Sequence, residues 1–516
     1  MNHLLTVADA VATHARLTPN KLGARDSRRS LSFAEWNNRA CRLANGLLGL
    51  GLAKGDRVAL LAYNCVEWME IYVALARAGL VAVPINFRLT APEIAYIAAN
   101  CRARAFIVQD ELLDRVEPIR AELTIEPHCW VAFGHGATAP GYTNYEDLIA
   151  LASDAAPKVD VRPTDTCALM YTSGTTGRPK GAIRSHEGNT LIAFATALEM
   201  GFKRDDTALL VMPMCHANSL YFSHTFVHLG ATCVIDDRKS FDAQALLATL
   251  AQQKVTFTSL VPTHYIMMLA LPSQTKARYD VSAVEKLMIS SAPARKDTKL
   301  AILEFFRNGQ LYELYGSTEA GWVTLLRPDE QIDKLGSVGR EWAGSGAIRI
   351  LDPAGNEVPD GEVGELYSRT PYVFDGYWEN PDKTAEAMNG DWCSVGDMAR
   401  RDSEGYIHLV DRKSNMIISG GENVYPSEVE SILGAHPKIK DIAVVGVPHD
   451  KWGEAVQAVA VLHEPATEAE ILDWCRSRMA GYKRPQAILF VDEAEMPRTA
   501  TGKILHRVLR EQLVSR

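Results

Sequence analysis

The chain has 516 residues, 47% hydrophobic and 23% charged, which exceeds the about 250–300 residues one core usually holds and predicts at least two domains. Its net charge of −9 argues against a nucleic-acid binder, which would carry a basic face. Nine spread cysteines without a C-x-x-C pair fit reduced thiols in a cytoplasmic protein, and no export leader or apolar run of about 18 residues predicts a membrane span.

Ser32 and Glu35 form a capping-box pattern, and Trp36, Ala40, Leu43, Leu47 and Leu50 follow at helical spacing as far as Gly51. Val58–Ala62 then reads as a strand, Glu67–Ala78 as a helix, Val81–Ile85 as a strand, Pro92–Asn100 as a helix and Ala105–Val108 as a strand. Strands alternating with helices predict a doubly wound parallel sheet and an α/β fold. The Gly/Pro/Thr-rich stretch 134–145, followed by 155–164, reads as a surface connection.

Tyr171–Gly181, Y-T-S-G-T-T-G-R-P-K-G, reads as a polyphosphate loop between strands at Cys167–Met170 and Ala182–Ile183. Gly174, Gly177 and Gly181 admit close backbone approach to an anion, Thr172, Ser173, Thr175 and Thr176 supply hydroxyl donors, and Lys180 supplies charge. The G-x-x-x-x-G-K-[ST] pattern of nucleotide triphosphatases is not met, because Gly181 follows Lys180. A flexible linker is the ordinary alternative, but it has no need of a Pro-Lys-Gly ending between strands.

A strand at Ala208–Met212 leads to His216, at the carboxyl edge where α/β sheets bind ligands. His224 and His228 share a helical face, but Thr225 stands where a zincin needs Glu, so both are expected to be packing or surface residues. Another strand ends in Tyr315-Gly316-Ser317-Thr318-Glu319, an aromatic face, hydroxyls and a carboxylate suited to a purine beside a metal-bound phosphate; a strand-to-turn with a surface Glu reads equally well. Asp397 follows Gly396, so its carboxylate could accept two ribose hydroxyls or cap a hairpin turn before the strand Tyr406–Val410.

These motifs, together with D-R-K-S-N-M-I-I-S-G-G-E-N-V-Y-P at 411–426 and P-R-T-A-T-G-K-I-L at 497–505, stand in an order that resembles the acyl-adenylate-forming (AMP-binding) superfamily over essentially the whole chain. Within it the chain looks most like a free-standing acyl-CoA synthetase, an acid–thiol ligase for a fatty or aryl acid. The resemblance implies ATP, Mg2+ and CoA: the carboxylate and MgATP give acyl-AMP and pyrophosphate, and CoA then displaces AMP. An enzyme that loads a carrier protein, or a non-catalytic nucleotide-binding relative, is the alternative.

The resemblance also implies an N-terminal domain at 1–411, with doubly wound sheets plus a small β-barrel, and a mobile α+β domain at 412–516. Lys503 would bridge the acyl carboxylate and α-phosphate, the loop 172–180 would hold the outer phosphates, Thr318 would lie near the α-phosphate and Glu319 on magnesium. Tyr315 and Gly316 would lie at adenine, Asp397 and Arg412 at ribose, and His216 beside the acyl pocket. Gly420-Gly421-Glu422 would reach the CoA tunnel after rotation about a pivot at Ser414. Ser290-Ser291-Ala292-Pro293 would form a pocket wall that narrows the pocket or bonds a substituent, with Phe222, Ser259–Pro262 and Trp322 as further walls. Within the smaller domain Ser427 with Glu430, and Thr467 with Glu470, read as helix starts, and Ile442–Val447 and Ala455–Leu462 as strands. Many relatives are homodimers, and the segment around Lys503 resembles those that lysine acetyltransferases modify.

Overall fold

The computed structural model describes residues 6–134, 139–172, 179–290, 294–419, 422–449, 451–476, 478–498 and 502–515. They divide into two compact units, one of residues 1–173, 179–348 and 368–393 and a second that includes 349–367 and 394–516.

The first unit holds two sheets. One runs Thr143–Asn144, Trp130–Phe133, Ala105–Gln109, Arg57–Leu61, Val81–Ile85, Thr166–Thr172, Lys180–Ser185, parallel except for its last pair. The other runs Gly321–Leu326, Gln310–Ser317, Lys286–Ser290, Phe257–Leu260, Thr207–Leu210, Thr232–Ile235, Leu22–Arg25, Ser30–Ser32, parallel in the middle and closed by an antiparallel pair at each edge. This is the predicted mixed α/β architecture, with all carboxyl strand ends of a parallel run opening on one edge. The helix Glu67–Ala78 takes its predicted bounds and stops at Gly79, whose φ of +65° is the left-handed cap that a side chain would strain. The capping box at Ser32 and Glu35 forms as predicted.

One stretch departs from expectation. Thr143–Asn144 adds an edge strand, and Asn144 caps the helix Tyr145–Leu151 by accepting from the Asp147 amide at 3.0 Å. Tyr145 is buried and donates to Glu70 at 3.0 Å, where Arg29 and Arg39 also bind the same buried carboxylate. The stretch is thus anchored rather than superficial, because a buried carboxylate must be paired. Residues 155–164 do run without helix or strand.

His186 and His224 are buried around a cavity of about 20 Å³ that Asn189, Cys167 and Tyr72 also line, room for one water. Burial lowers His186 to about 4 and His224 to about 3. Both are therefore neutral in the folded protein, and the unfolded chain takes up their protons first as pH falls below about 6.5. Stability should fall between pH 6.5 and 4, by roughly 3 kcal/mol per histidine. Urea unfolding at pH 7 and pH 4.5 measures it, and His224→Gln should flatten the profile; equal midpoints at both pH values would refute the assignment.

The second unit has a long antiparallel pair, Ile439–His449 with Gly453–Leu462, flanked by Ala487–Phe490 and by Ile417–Ser419. It contains the predicted strands within wider bounds. Thr467 caps the next helix, accepting from the Glu470 amide at 3.3 Å. Ser427 does not cap: its hydroxyl bonds the Val410 carbonyl, while Glu430 accepts from the Val444 amide at 2.7 Å and pairs with His506 at 2.6 Å. The helix begins with Pro426 at its first position, which needs no donor satisfied there. No described helix is long and apolar enough to cross a membrane.

Candidate active site

The predicted phosphate loop joins two antiparallel strands, with Thr172 opposite Lys180 across its base. Ser173, Gly174, Thr175, Thr176 and Gly177 lie outside the described residues. Both ends of the loop are fixed. Tyr171 donates to Asn100 at 2.5 Å, Tyr96 donates to the Pro179 carbonyl at 3.2 Å, and the Trp378 amide donates to Gly181 at 2.8 Å. The Lys180 ammonium lies 4.2 Å from the Tyr377 ring. Burial lowers the Lys180 pKa, and Glu319 opposes the shift.

Glu319 is the meeting point. Its Oε1 accepts from the Tyr377 hydroxyl at 2.8 Å and the Thr172 hydroxyl at 3.2 Å. Its backbone carbonyl accepts from the Phe374 amide at 2.7 Å and from Arg184 at 3.3 Å. The side chain is 6% exposed. A buried carboxylate with one oxygen held by hydroxyls and the other left without a described partner fits Mg2+, which takes one or two protein carboxylates and completes its shell with phosphates and water. Among the described residues no group of three or more His, Cys, Asp or Glu could hold a metal ion.

The strand Gln310–Ser317, which leads into the turn carrying Thr318 and Glu319, is kinked by a register shift between Tyr315 and Gly316. A Cβ at Gly316 would sit 2.2 Å from the Gly321 carbonyl oxygen, so only glycine fits this bend. Ser317 accepts from the Ala320 amide at 2.9 Å and closes the following turn. Tyr221 donates to the Thr318 carbonyl at 3.4 Å.

Two functional neighbours went unread in the sequence. Tyr377 belongs to no motif. Arg184 is fully buried, donating to the carbonyls of Thr318 (3.5 Å), Glu319 (3.3 Å) and Tyr372 (2.8 Å) with its guanidinium 5.4 Å from the Tyr221 ring. It ties the strand leaving the phosphate loop to the backbone of both catalytic candidates. The available signal was alternation: Arg184 is two residues from buried Ala182 on one face of a strand, where a cation needs a reason to be.

In the second unit Asp397 and Arg412 face each other across paired strands, 2.5 Å apart, and Arg412 also donates to the Val395 carbonyl at 3.0 Å. Asp397 therefore starts a strand instead of capping a turn. Asp411 holds the turn beyond, accepting from the Arg412 amide at 2.6 Å, Asn415 at 3.1 Å and the Ser427 amide at 2.8 Å. Lys503 joins this group. Its side chain is exposed, yet surrounding protein lowers its pKa, then repulsion from Arg412 does, while Asp397 and Asp411 pull the other way. The His506–Glu430 pair anchors the helix that follows it. Gly420 and Gly421 lie outside the described residues, and Ser414 stands in the turn after Arg412.

His216 precedes the helix Ala217–Leu229, its Nε2 3.4 Å from the Asn86 amide nitrogen. Burial, then Arg88, lowers its pKa to about 4, so the imidazole is neutral. His264, stacked on Phe241 with centroids 4.0 Å apart, is lowered to about 4 by the same causes. Of the expected pocket walls, Phe222 is fully buried against Phe257 and Trp322, Ser290 ends its strand, and Ser291, Ala292 and Pro293 lie outside the described residues. His224 is buried, and His228 bonds the His224 carbonyl at 2.7 Å, as packing residues would.

Residues 11–378 match the family model described as AMP-binding enzyme, and residues 428–503 match AMP-binding enzyme C-terminal domain. The chain is 36% identical to a feruloyl-CoA synthase of Amycolatopsis over 505 residues, 96% of this chain and 97% of that protein. It is 35% identical to an indoleacetate–CoA ligase of Aromatoleum aromaticum over 521 residues, 99% of each. Among solved structures it resembles the anthranilate CoA ligase AuaEII in complex with anthranoyl-AMP, with a TM-score of 0.89 and 30% identity over 100% of this chain and 99% of that one.

Proposed function

Since the chain belongs to the AMP-binding enzyme family and is an adenylate-forming CoA ligase, we propose that its acid is an aryl or fatty carboxylate and that Glu319, Lys180, Asp397, Arg412 and Lys503 carry the chemistry. The carboxylate is already ionised at neutral pH, so the first step needs no base; its obstacle is the approach of one anion to another. A carboxylate oxygen bonds the α-phosphorus and the bond to pyrophosphate breaks. The CoA sulfur then bonds the acyl carbon, its proton leaves to solvent, and AMP departs.

Bound Mg2+ would neutralise phosphate charge at Glu319. Thr172 and Lys180 would hold the outer phosphates beside it. Thr318, its carbonyl fixed by Arg184 and Tyr221, would present its hydroxyl to the α-phosphate. Asp397 would accept the ribose hydroxyls with Arg412 donating, and Lys503 would bring a mobile positive charge to the forming bond. Residues 412–516 would move between the two steps, turning near Ser414, because the same site must expel Lys503 before CoA enters. The observation that carries this reading is the convergence of Thr172 and Tyr377 on the Glu319 carboxylate, with Lys180 against the Tyr377 ring.

Pyrophosphate release from MgATP, measured over a panel of fatty and aryl acids with and without CoA, tests it. The expected result is turnover requiring both acid and CoA, with AMP as product. Acid-dependent pyrophosphate release that CoA never accelerates would reject the thiol-ligase reading.

A further inference from the structure

Asn218, Ser259 and Ser290 come from three separate elements and form one polar knot at the carboxyl ends of two neighbouring parallel strands. The Asn218 amide nitrogen donates to the Ser259 and Ser290 hydroxyls, both at 3.1 Å, and the two hydroxyls are 3.3 Å apart. Both serines are 5% exposed, while Asn218 keeps some open surface. Ser259 and Ser290 follow or sit within apolar strands, F-T-S-L and K-L-M-I-S, where side chains of this kind gain nothing from burial alone.

The hydrogen-bond inventory of the knot does not close. Asn218 uses both amide protons, and one serine hydroxyl donates to the other. One serine O–H and the Asn218 Oδ1 are left over, a donor and an acceptor side by side, and no other described group takes either. The serines are the buried members, and a buried hydroxyl left without an acceptor costs about 1–3 kcal/mol, while the Asn218 Oδ1 stands on the side of the knot that keeps open surface.

We propose that this knot reads a hydroxyl group on the acid substrate, at the end remote from its carboxylate; the inference rests on the ligase reading above. A hydroxyl both accepts and donates, so it completes the knot with one group. The knot contains no cation, so it suits a neutral substituent over a second carboxylate. Its position sets the distance. Ser290 is in register with Leu314, and three further strand residues, about 10 Å at the rise of extended chain, lead to Ser317 before the turn that carries Thr318. Tyr221, one helical turn beyond Asn218, spans towards the same carbonyl. The group read is therefore far from the reacting carboxylate, and a rigid aryl acid reaches it without ordering many rotors, as a flexible chain would have to.

The test compares kcat/KM for pyrophosphate release on acids that differ only in that hydroxyl, 4-hydroxycinnamate against cinnamate and 4-hydroxybenzoate against benzoate. Wild type should favour the hydroxylated member of at least one pair by roughly ten- to a hundred-fold, since a site built around a hydroxyl penalises the analogue that lacks it. Asn218→Ala and Ser290→Ala should each pull that ratio to within about three-fold. The ratio is internal to each variant, so partial loss of folded protein leaves it readable. Equal use of both members by wild type, or a preference that survives in both variants, overturns the proposal while leaving the ligase reading intact. Absence of pyrophosphate release with every acid overturns the ligase reading, and the proposal with it.

Discussion

Replacing Lys503 by alanine lowers acyl-adenylate formation by at least about a hundred- to a thousand-fold, the loss typical of a group that stabilises developing anionic charge, yet spares thioester formation from preformed acyl-AMP to within about ten-fold. The asymmetry follows from the charges in each step. Adenylation joins two anions, and Lys503 is the group proposed to bring positive charge to the forming bond itself, whereas Lys180 is proposed for the outer phosphates. In the second step the acyl carbon is already activated and AMP is the leaving group, so a second cation is not required. The surroundings act on this charge in both directions: desolvation by the surrounding protein and then Arg412 disfavour the ammonium, while Asp397 and Asp411 favour it. Lys503 is also exposed, so acetylation by a lysine acetyltransferase would remove the same charge and should reproduce the alanine phenotype. Pyrophosphate release and CoA-dependent AMP release, assayed separately on the variant, decide it. Equal loss of both halves would place Lys503 in binding or folding instead.

The sequence revealed most where the chain's own periodicity decides the outcome. The helix Glu67–Ala78 and the strand Val81–Ile85 came out with their predicted limits because the strand is apolar throughout, the helix is apolar apart from Glu67, Glu70 and Arg77, and both end at clear breaks. The motifs marked residues that the fold gathers: Thr172, Lys180 and Glu319 are brought together in one unit, and Asp397, Arg412 and Lys503 in the other. What stayed hidden depends on distant partners. Tyr377 matters because it touches Glu319, 58 residues away in sequence, and no local pattern encodes that contact. Arg184 showed a break in strand alternation, but its acceptors are backbone carbonyls, which carry no sequence signature.

Ser427 is the converse case. Its spacing to Glu430 imitates a capping box, but Glu430 is taken by Val444 and His506, and tertiary contacts outweighed a local preference worth about 1 kcal/mol. Asn218 belongs with Tyr377: it follows His216 by two residues, and its meaning appears only when two strands bring Ser259 and Ser290 beneath it.

Glu319→Gln gives the second large effect, a fall of about a hundred- to a thousand-fold in adenylation together with a higher Mg2+ concentration for half-maximal rate. Glutamine has the same shape, and its side-chain oxygen still accepts from Tyr377 and Thr172, so the hydrogen bonds at 2.8 and 3.2 Å survive. What disappears is the negative charge and the second carboxylate oxygen, the two things a hard dication needs from the protein. Tyr377→Phe isolates the other contribution: it removes one hydrogen bond and leaves the carboxylate, so it should cost no more than about ten-fold, the range of a single bond to a charged group. Thermal denaturation of all three proteins without ligand separates folding from function, and Mg2+ titrations of pyrophosphate release separate metal binding from positioning. If Glu319→Gln keeps the wild-type Mg2+ midpoint, the carboxylate does not hold the metal. If Tyr377→Phe loses as much as Glu319→Gln, orientation of the carboxylate outweighs its charge. An unchanged midpoint would return Glu319 to the role of tying Thr172 to Tyr377 at the mouth of the phosphate loop.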